Sequence, residues 1–234
     1  MLILAIDSTA IAGSVAILRD GLPIASAHIK NGNTHSETLL PMVESALRFA
    51  KLTVDDIDLF AVNVGPGSFT GVRIGVATVK GLMFGKNKPC IAVSTLESLA
   101  YNLIPQSEDT VLCPVMNARR GQVYNALFRC KDGELVRLTP DRAIAVCDLE
   151  AELAALNLPF MLSGDGIEEM HKGLKSLTPV PTAPLLADQN AVSVASLAHK
   201  RFLAGESMSE NDLNPIYLRM PQAERERLER LARS

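Results

Sequence analysis

The order of predicted strands and helices before Pro105 begins again after it, and this repeat constrains the fold more than any other feature. A buried apolar strand at residues 2–6 ends at the polar cluster Asp7-Ser8-Thr9, and two strands joined by an Asp-Gly hairpin follow. A helix opened by the capping box Thr34-His35-Ser36-Glu37 comes next. The other predicted segments are strands Gly13–Leu18, Leu22–Ile29, Asp58–Val64 and Cys90–Val93, and helices 34–50, Phe69–Gly85 and Leu96–Leu103.

The second copy of this plan is less complete. Val111–Met116 predicts a buried strand that ends at polar Asn117, and Gln122–Cys130 predicts a strand that leads into the hairpin signal Lys131-Asp132-Gly133. The later segments are helix Leu149–Leu156, strand Phe160–Leu162, a helix from Ile167 and helix Ala191–Leu203, which can fold onto either half. We therefore predict an α/β protein with two related β-β-β-α-β-α subdomains, 1–104 and 105–220, followed by a charged tail, 221–234.

Composition excludes several classes of protein. Of the 234 residues, 47% are hydrophobic and 21% charged, and no apolar run approaches the ~20 residues of a membrane helix. A net charge of −3 provides no overall positive field for binding RNA or DNA. Because no secretory signal is visible at the N-terminus, we expect a cytoplasmic protein with no membrane association. The cysteines lack metal-ligand spacing and are predicted to be core thiols: Cys90, Cys113, Cys130 and Cys147.

Two polar loops are candidates for binding phosphate. Asp7, Ser8 and Thr9 stand where a buried strand emerges, and Gly65, Gly67 and Ser68 form a tight loop in front of a helix. Backbone N–H groups and hydroxyls in such places can surround an anion. Both loops are also compatible with plain structural turns, the second with Ser68 as the helix cap.

The helices at 34–50 and 69–85 carry more apolar surface than one buried face requires. The second subdomain could cover the surplus, but we favour a subunit interface. The residues assigned to it are His35, Leu39, Leu40, Val43, Leu47, Gly71, Val72, Gly75, Val76, Val79 and Met83. On this interpretation Val76→Glu or Leu40→Glu abolishes dimers and leaves the monomer folded.

Several motifs together resemble the TsaB (YeaZ) family. They are Ala5-Ile6-Asp7-Ser8-Thr9, His35-Ser36-Glu37, Leu39-Leu40-Pro41, the run Val64 to Gly75, Ala118 to Tyr124, Gly164-Asp165-Gly166 and Pro215-Ile216-Tyr217-Leu218-Arg219. The resemblance spans nearly the whole chain. It implies an actin-like ATPase (ASKHA) fold of two related subdomains and a role in making N6-threonylcarbamoyladenosine (t6A) beside the tRNA anticodon.

The resemblance also implies partners. The catalytic paralogue in this system, TsaD, transfers the threonylcarbamoyl group with a metal held by an H-x-x-x-H helix, whereas this chain has His35 but Leu39 at the fifth position. We therefore expect no catalytic residues and no metal. The implied role is a scaffold that dimerises with TsaD, enables recruitment of the ATPase TsaE, contacts tRNA only through the complex and forms a homodimer when alone. No cofactor is required, although ATP or ADP could bind weakly at a partner interface.

Two alternative functions are associated with proteins of the same fold. The superfamily's older name, glycoprotease-like, suggests a peptidase, but no nucleophile or metal set for peptide hydrolysis is visible in the sequence. An ATP-dependent small-molecule phosphotransferase is the stronger alternative, since such enzymes also have a phosphate loop that begins with an aspartate. Turnover of ATP by the isolated chain would support that alternative.

Overall fold

A computed structural model describes residues 1–32, 34–104 and 109–219; the predicted tail 221–234 lies outside the described residues. The strands are β1 Leu2–Asp7, β2 Gly13–Arg19, β3 Leu22–Ile29, β4 Leu59–Asn63, β5 Cys90–Val93, β6 Val111–Arg119, β7 Gln122–Asn125, β8 Phe128–Lys131, β9 Glu134–Arg137, β10 Arg142–Ala145 and β11 Phe160–Ser163. The helices are α1 His35–Ala50, α2 Phe69–Met83, α3 Thr95–Tyr101, α4 Val146–Leu156, α5 Ile167–Gly173, α6 Pro184–Ala187 and α7 Ala191–Leu203. Among the described residues, no helix is long and apolar enough to cross a membrane.

The first sheet has the strand order β3-β2-β1-β4-β5. β1 pairs antiparallel with β2 and parallel with β4, and β4 pairs parallel with β5. Because successive side chains of a strand point to opposite faces, the sheet has two apolar faces. One face, which includes Leu4 and Ile6, packs against α1 and α2, and the other, which includes Ile3 and Ala5, packs against α7.

The second sheet repeats this plan around β6. The strand β11 pairs parallel with β6 on one side, as β4 does with β1. On the other side β7 and β8 both pair antiparallel with β6, so they act as the single strand Gln122–Cys130 that the sequence predicts. The strands β9 and β10 pair with β8 and β7 and form the next position outward. Two sheets of this related topology form the actin-like ATPase fold, which confirms the predicted fold class.

The predicted boundary at residue 105 does not separate two packing units. Helix α7 follows the second sheet in the chain but packs on β1 and β2 of the first. Further along, Met208 forms a bridge with Cys90, and Leu213 is buried in the core beneath α1 and α2. The chain returns to the first sheet because the face with Ile3 and Ala5 needs an apolar cover that the first 104 residues do not supply.

Two smaller predictions also need correction. Thr34 stands at the N-cap of α1 but its side chain makes no capping hydrogen bond; its hydroxyl lies 3.0 Å from that of Ser36. Cys147 is exposed, whereas Cys90, Cys113 and Cys130 are buried as core thiols. Burial raises the pKa of Cys113 to about 12, so that thiol stays protonated at neutral pH.

Glu150, in α4, closes the turn after α5 with its carboxylate. The backbone N–H groups of Ser176, Lys175 and Leu177 donate to Glu150 Oε1 at 2.7 to 3.2 Å, and the Ser176 hydroxyl also donates to it at 3.0 Å. These bonds, led by the N–H of Ser176, lower the pKa of Glu150 to about 2 from an ordinary 4.5. The charged form therefore stabilises the folded chain above pH 4.5, and this contribution disappears as the pH falls toward 2.

We expect Glu150→Gln to lower the urea midpoint at neutral pH, because a neutral amide accepts these bonds more weakly. The difference from the parent chain is expected to be constant above about pH 5. It is expected to shrink below pH 4.5, where Glu150 of the unfolded parent chain binds a proton while the folded chain, with its lowered pKa, keeps the carboxylate charged. Urea titrations between pH 3 and 7 measure it. A difference that does not vary with pH would show that the carboxylate charge plays no part in holding the turn.

Candidate functional site

Asp7, at the carboxyl end of β1, is the centre of a buried polar cluster. Its side chain is fully buried, and Thr9 donates both its backbone N–H and its hydroxyl to Asp7 Oδ1 at 2.8 Å. Asn63, at the end of the neighbouring strand β4, donates its amide to Asp7 Oδ2. Burial raises the pKa of Asp7, while the hydrogen bonds from Thr9 and Asn63 act in the opposite direction. Both carboxylate oxygens are therefore occupied within the protein.

The cluster continues beneath the two parallel strands. Asn63 Nδ2 also donates to the Ser98 hydroxyl at 2.7 Å, and that hydroxyl donates to the backbone carbonyl of Thr95 at 3.0 Å. Asn63 falls within the predicted strand Asp58–Val64 and belongs to no sequence motif. The sequence does contain one signal for its role, a single amide at the end of an otherwise apolar strand. A buried polar side chain needs hydrogen-bond partners, so this amide indicates a polar cluster at the strand end.

The glycine loop before α2 packs directly on the turn after β1. The Ser68 N–H donates to the carbonyl of Thr9 at 2.7 Å, and the Ser8 hydroxyl donates to the carbonyl of Gly71 at 2.8 Å. A Cβ atom at Gly67 would lie 2.4 Å from the Thr9 carbonyl oxygen, so a side chain there would prevent this approach. The two loops therefore bind each other.

The structure thus brings together the six residues predicted to hold phosphate: Asp7, Ser8, Thr9, Gly65, Gly67 and Ser68. Of these, Asp7, Ser8 and Thr9 are almost completely buried. The Ser68 side chain accepts from the Gly71 N–H at 3.2 Å, which is the predicted helix cap. A phosphate site needs N–H groups and hydroxyls that point into open space. Here several of those groups close a junction between two loops.

An open cleft of about 530 Å³ lies beside this closed junction, between the two halves of the chain. Ile11 and Phe69 line it on the side of the first sheet, and Asn117, Tyr124 and Asp165 line it on the side of the second. Burial raises the pKa of Asp165, although its carboxylate accepts the Asn117 N–H at 3.1 Å. Tyr124 and Asp165 belong to motifs seen in the sequence, but only the fold places both in the wall of one cleft.

Residues 216–219 border the cleft and connect the two halves. Ile216 donates its N–H to the carbonyl of Val64 at 2.7 Å, next to the glycine loop. Three residues later, Arg219 Nη1 donates to the carbonyl of Ala118 at 3.0 Å, and its guanidinium carbon lies 5.8 Å from the ring centroid of Tyr124. This segment holds the Gly65 loop against the hairpin between β6 and β7.

Most residues predicted for a subunit interface lie in the chain's own core. The buried ones pack against the first sheet: Leu39, Val43, Leu47, Val72, Val76, Val79 and Met83. This corrects the sequence interpretation, because side chains that already cover their own sheet are not available to a partner. The expectation that Val76→Glu leaves the monomer folded is wrong for the same reason, because Val76 is part of this core.

The remaining interface candidates divide into two groups. Gly71 and Gly75 are buried, and a Cβ atom would lie 2.0 Å from the Ser8 carbonyl oxygen at the first and 2.5 Å from Ser8 Oγ at the second. Their small size serves contact with the turn after β1. His35 is half-buried with Nε2 2.6 Å from the carbonyl of Ala10. Leu40 is 49% exposed and therefore stays available to a partner.

The side of α2 that faces away from the first sheet is uncharged between Arg73 and Lys80. Ile74 and Thr78 are half-buried there, and Ala77 and Gly81 are exposed. We call these four residues of α2, and Leu40 of α1, the outer face. A solvent-facing helix side ordinarily carries charged residues, so the outer face has the composition of a contact surface.

Comparison with known proteins gives consistent results. The family model described as TsaD, tRNA N6-adenosine threonylcarbamoyltransferase, matches residues 30–224. The tRNA threonylcarbamoyladenosine biosynthesis protein TsaB of Bacillus subtilis is 32% identical over 231 residues, which cover 96% of each chain. The TsaB protein of Escherichia coli is 30% identical, over 94% of this chain and 95% of that protein. A solved structure of YeaZ from Pseudomonas aeruginosa superposes with a TM-score of 0.75 at 29% identity, over 93% of this chain and 99% of that one.

Proposed function

Because the chain belongs to the TsaB family of tRNA threonylcarbamoyladenosine biosynthesis proteins, within the broader family of the TsaD model, we propose that it is a non-catalytic subunit of the t6A-forming complex. In this proposal it dimerises with the paralogue TsaD through the outer face, organises that enzyme and enables recruitment of TsaE. It contacts tRNA only within the complex, and alone it pairs with a second copy through the same face. It works in the cytoplasm.

One observation carries the docking part of the proposal. The uncharged outer face lies on the two helices whose opposite sides form the core of the first sheet. A surface carried by a rigid core element can bind a partner at little cost in conformational entropy. The exposed Ala77 and Gly81 also let a partner helix approach closely, because they present little side chain.

The hydrogen-bonded junction between the turn after β1 and the glycine loop before α2 supports the proposal that the chain is non-catalytic. Asp7 uses both carboxylate oxygens for Thr9 and Asn63, and the Thr9 carbonyl accepts the Ser68 N–H. Opening this junction for phosphate would break several buried hydrogen bonds, each of which is costly to leave unmade. We therefore propose that the chain requires no cofactor of its own, and that ATP or ADP binds, weakly, only at the boundary with a partner. The alternative of an ATP-dependent phosphotransferase loses support for the same reason.

An omission assay tests the proposal, with purified tRNA, threonylcarbamoyl-AMP synthase, TsaD and TsaE from the same organism. We expect modification, scored by nucleoside mass spectrometry, to require this chain, and the chain alone to produce none. With Leu40→Glu we expect a loss of about tenfold or more, because a carboxylate would be buried without a partner in the interface. Leu40 is half exposed, so the variant should remain folded.

The matched control is Leu203→Glu. Leu203 is also an exposed leucine on a helix, but α7 covers the opposite face of the first sheet. We expect this variant to modify tRNA as the parent does. Equal modification in the absence of this chain would refute the scaffold role. Equal loss in both variants would refute the outer face as the docking surface.

A further inference from the structure

Arg73, on the first turns of α2, is held in place by two aromatic rings. Its guanidinium carbon lies 3.8 Å from the ring centroid of Phe69 and 5.8 Å from that of Tyr217. Its Nε donates to the Tyr217 hydroxyl at 2.9 Å, and the two rings lie 4.7 Å apart. Stacking and the Nε hydrogen bond together restrict a side chain that is otherwise among the most mobile.

The two terminal nitrogens of this ordered guanidinium have no carboxylate partner among residues 1–32, 34–104 and 109–219. Three other well-held arginines of the chain do have one. Arg142 pairs with Glu152, Arg201 with Glu97, and Arg137 with Asp141. Arg73 therefore differs from these three because its orientation is set by aromatic rings, while the edge of the guanidinium that forms paired hydrogen bonds with an oxyanion stays unused.

Four apolar or aromatic side chains line the cleft beside this arginine. Phe69 and Tyr217, which hold Arg73, both line the cleft, as do Ile11 and Ile216. Ile11 is 62% exposed and Ile216 is 53% exposed. An ordered arginine beside exposed apolar and aromatic groups has the composition of an interface hot spot, where arginine and tyrosine are enriched. Arg73 also lies one helical turn before Ala77, so the patch is continuous with the outer face.

We infer that Arg73 forms a bidentate ion pair with a carboxylate of the protein partner that docks on the outer face. The partner segment carries an aspartate or glutamate beside an apolar side chain, which contacts Ile11 and Ile216. This inference rests on the proposed function. Charge complementarity selects an anion, because α2 carries two basic and no acidic residues. The exposed Ile11 and Ile216 beside Arg73 favour a protein carboxylate over a phosphate, because they suit an apolar side chain of the partner. Geometry selects the bidentate pair, because Nε is already taken by Tyr217 and leaves the two terminal nitrogens free to donate together.

The test compares binding of full-length variants to the TsaD protein of the same organism by calorimetry at two salt concentrations. We expect Arg73→Ala to weaken binding about tenfold or more and to reduce its salt dependence. Arg73→Lys is expected to lose nearly as much, because an ammonium group keeps the charge but not the planar fork. Tyr217→Phe, which removes only the positioning hydroxyl, is expected to cost about threefold.

Lys172→Ala is the charge control. Lys172 is an exposed cation on α5, beside Glu168 and away from the first sheet, so its loss should leave binding unchanged. Full binding by Arg73→Lys together with weak binding by Arg73→Ala would show a general charge effect and overturn the bidentate pair. Binding to TsaD that is unchanged in Arg73→Ala would overturn the inference altogether. If that variant instead weakens binding of tRNA to the assembled complex, the anion is an RNA phosphate.

A second docking variant separates this inference from the proposed function. Gly81→Glu alters the outer face eight residues along the helix from Arg73, beyond the three- or four-residue spacing at which helix side chains pair. Loss of binding in Gly81→Glu with none in Arg73→Ala would leave the proposed function standing and refute the inference. No detectable binding of TsaD by the parent chain would refute the proposed function itself.

Discussion

Glutamate in place of Val76 is expected to unfold the chain. Val76 is 4% exposed and packs in the core between α2 and the first sheet. A carboxylate there must either stay charged among apolar groups or bind a proton and remain without hydrogen-bond partners, at a cost of about 4 kcal/mol or more. That is a large part of the ~5–15 kcal/mol that stabilises a typical domain. Urea denaturation followed by circular dichroism should show a midpoint shifted far down, or no cooperative transition.

The neighbouring residue is the matched control. Ala77 is exposed on the outer face, so Ala77→Glu should keep the parent's urea midpoint to within about 0.5 kcal/mol in free energy of unfolding. The same new side chain one position apart thus separates a core position from a docking position. A Val76→Glu chain with the parent's midpoint would contradict the assignment of that helix side to the core.

Gly71→Ala is expected to produce the second large loss of stability. The added Cβ would lie 2.0 Å from the backbone carbonyl oxygen of Ser8, in the buried turn after β1. Neither partner can yield easily, since the Gly71 carbonyl accepts the Ser8 hydroxyl and the Ser68 N–H is bonded to Thr9. Overpacking of this kind costs on the order of 3 kcal/mol. Thermal unfolding measured by calorimetry would show it as a drop in melting temperature.

Gly81→Ala makes the same change near the other end of the same helix. Gly81 is exposed, and a Cβ atom there would meet nothing within 4 Å. Alanine has the higher helix propensity, so this variant should be more stable than the parent by about 0.5–1 kcal/mol. If the two variants shifted the melting temperature in the same direction, the close approach of α2 to the β1 turn would not be a source of stability.

Much of the fold could be predicted from the sequence because its signals are local. The hairpin turn at Asp20-Gly21 lies where Asp-Gly indicated it, and α2 begins at Phe69 with Ser68 as its cap. The repeated order of elements correctly predicted two related sheets. The capping box at Thr34 was wrong in detail, because its hydroxyl lies close to that of Ser36 and makes no capping bond to α1.

The candidate site was predicted only as a set of positions. The turn after β1 and the glycine loop before α2 do come together, as two loops at the ends of neighbouring parallel strands must. Whether such loops leave room for an anion depends on the exact distance between their backbones. That space is taken here by the bond from the Ser68 N–H to the Thr9 carbonyl, which no sequence pattern encodes.

The sequence by itself determined the element types, the turns, the duplicated plan and the presence of more apolar helix surface than one face needs. Those properties follow from side-chain periodicity and turn chemistry within a few residues. Only the tertiary structure decided that Val76 faces the core while Ala77 faces solvent, that α7 returns to the first sheet, and that Phe69 and Tyr217 orient Arg73. Burial and orientation are set jointly by segments far apart in the chain, so no single stretch of sequence contains them.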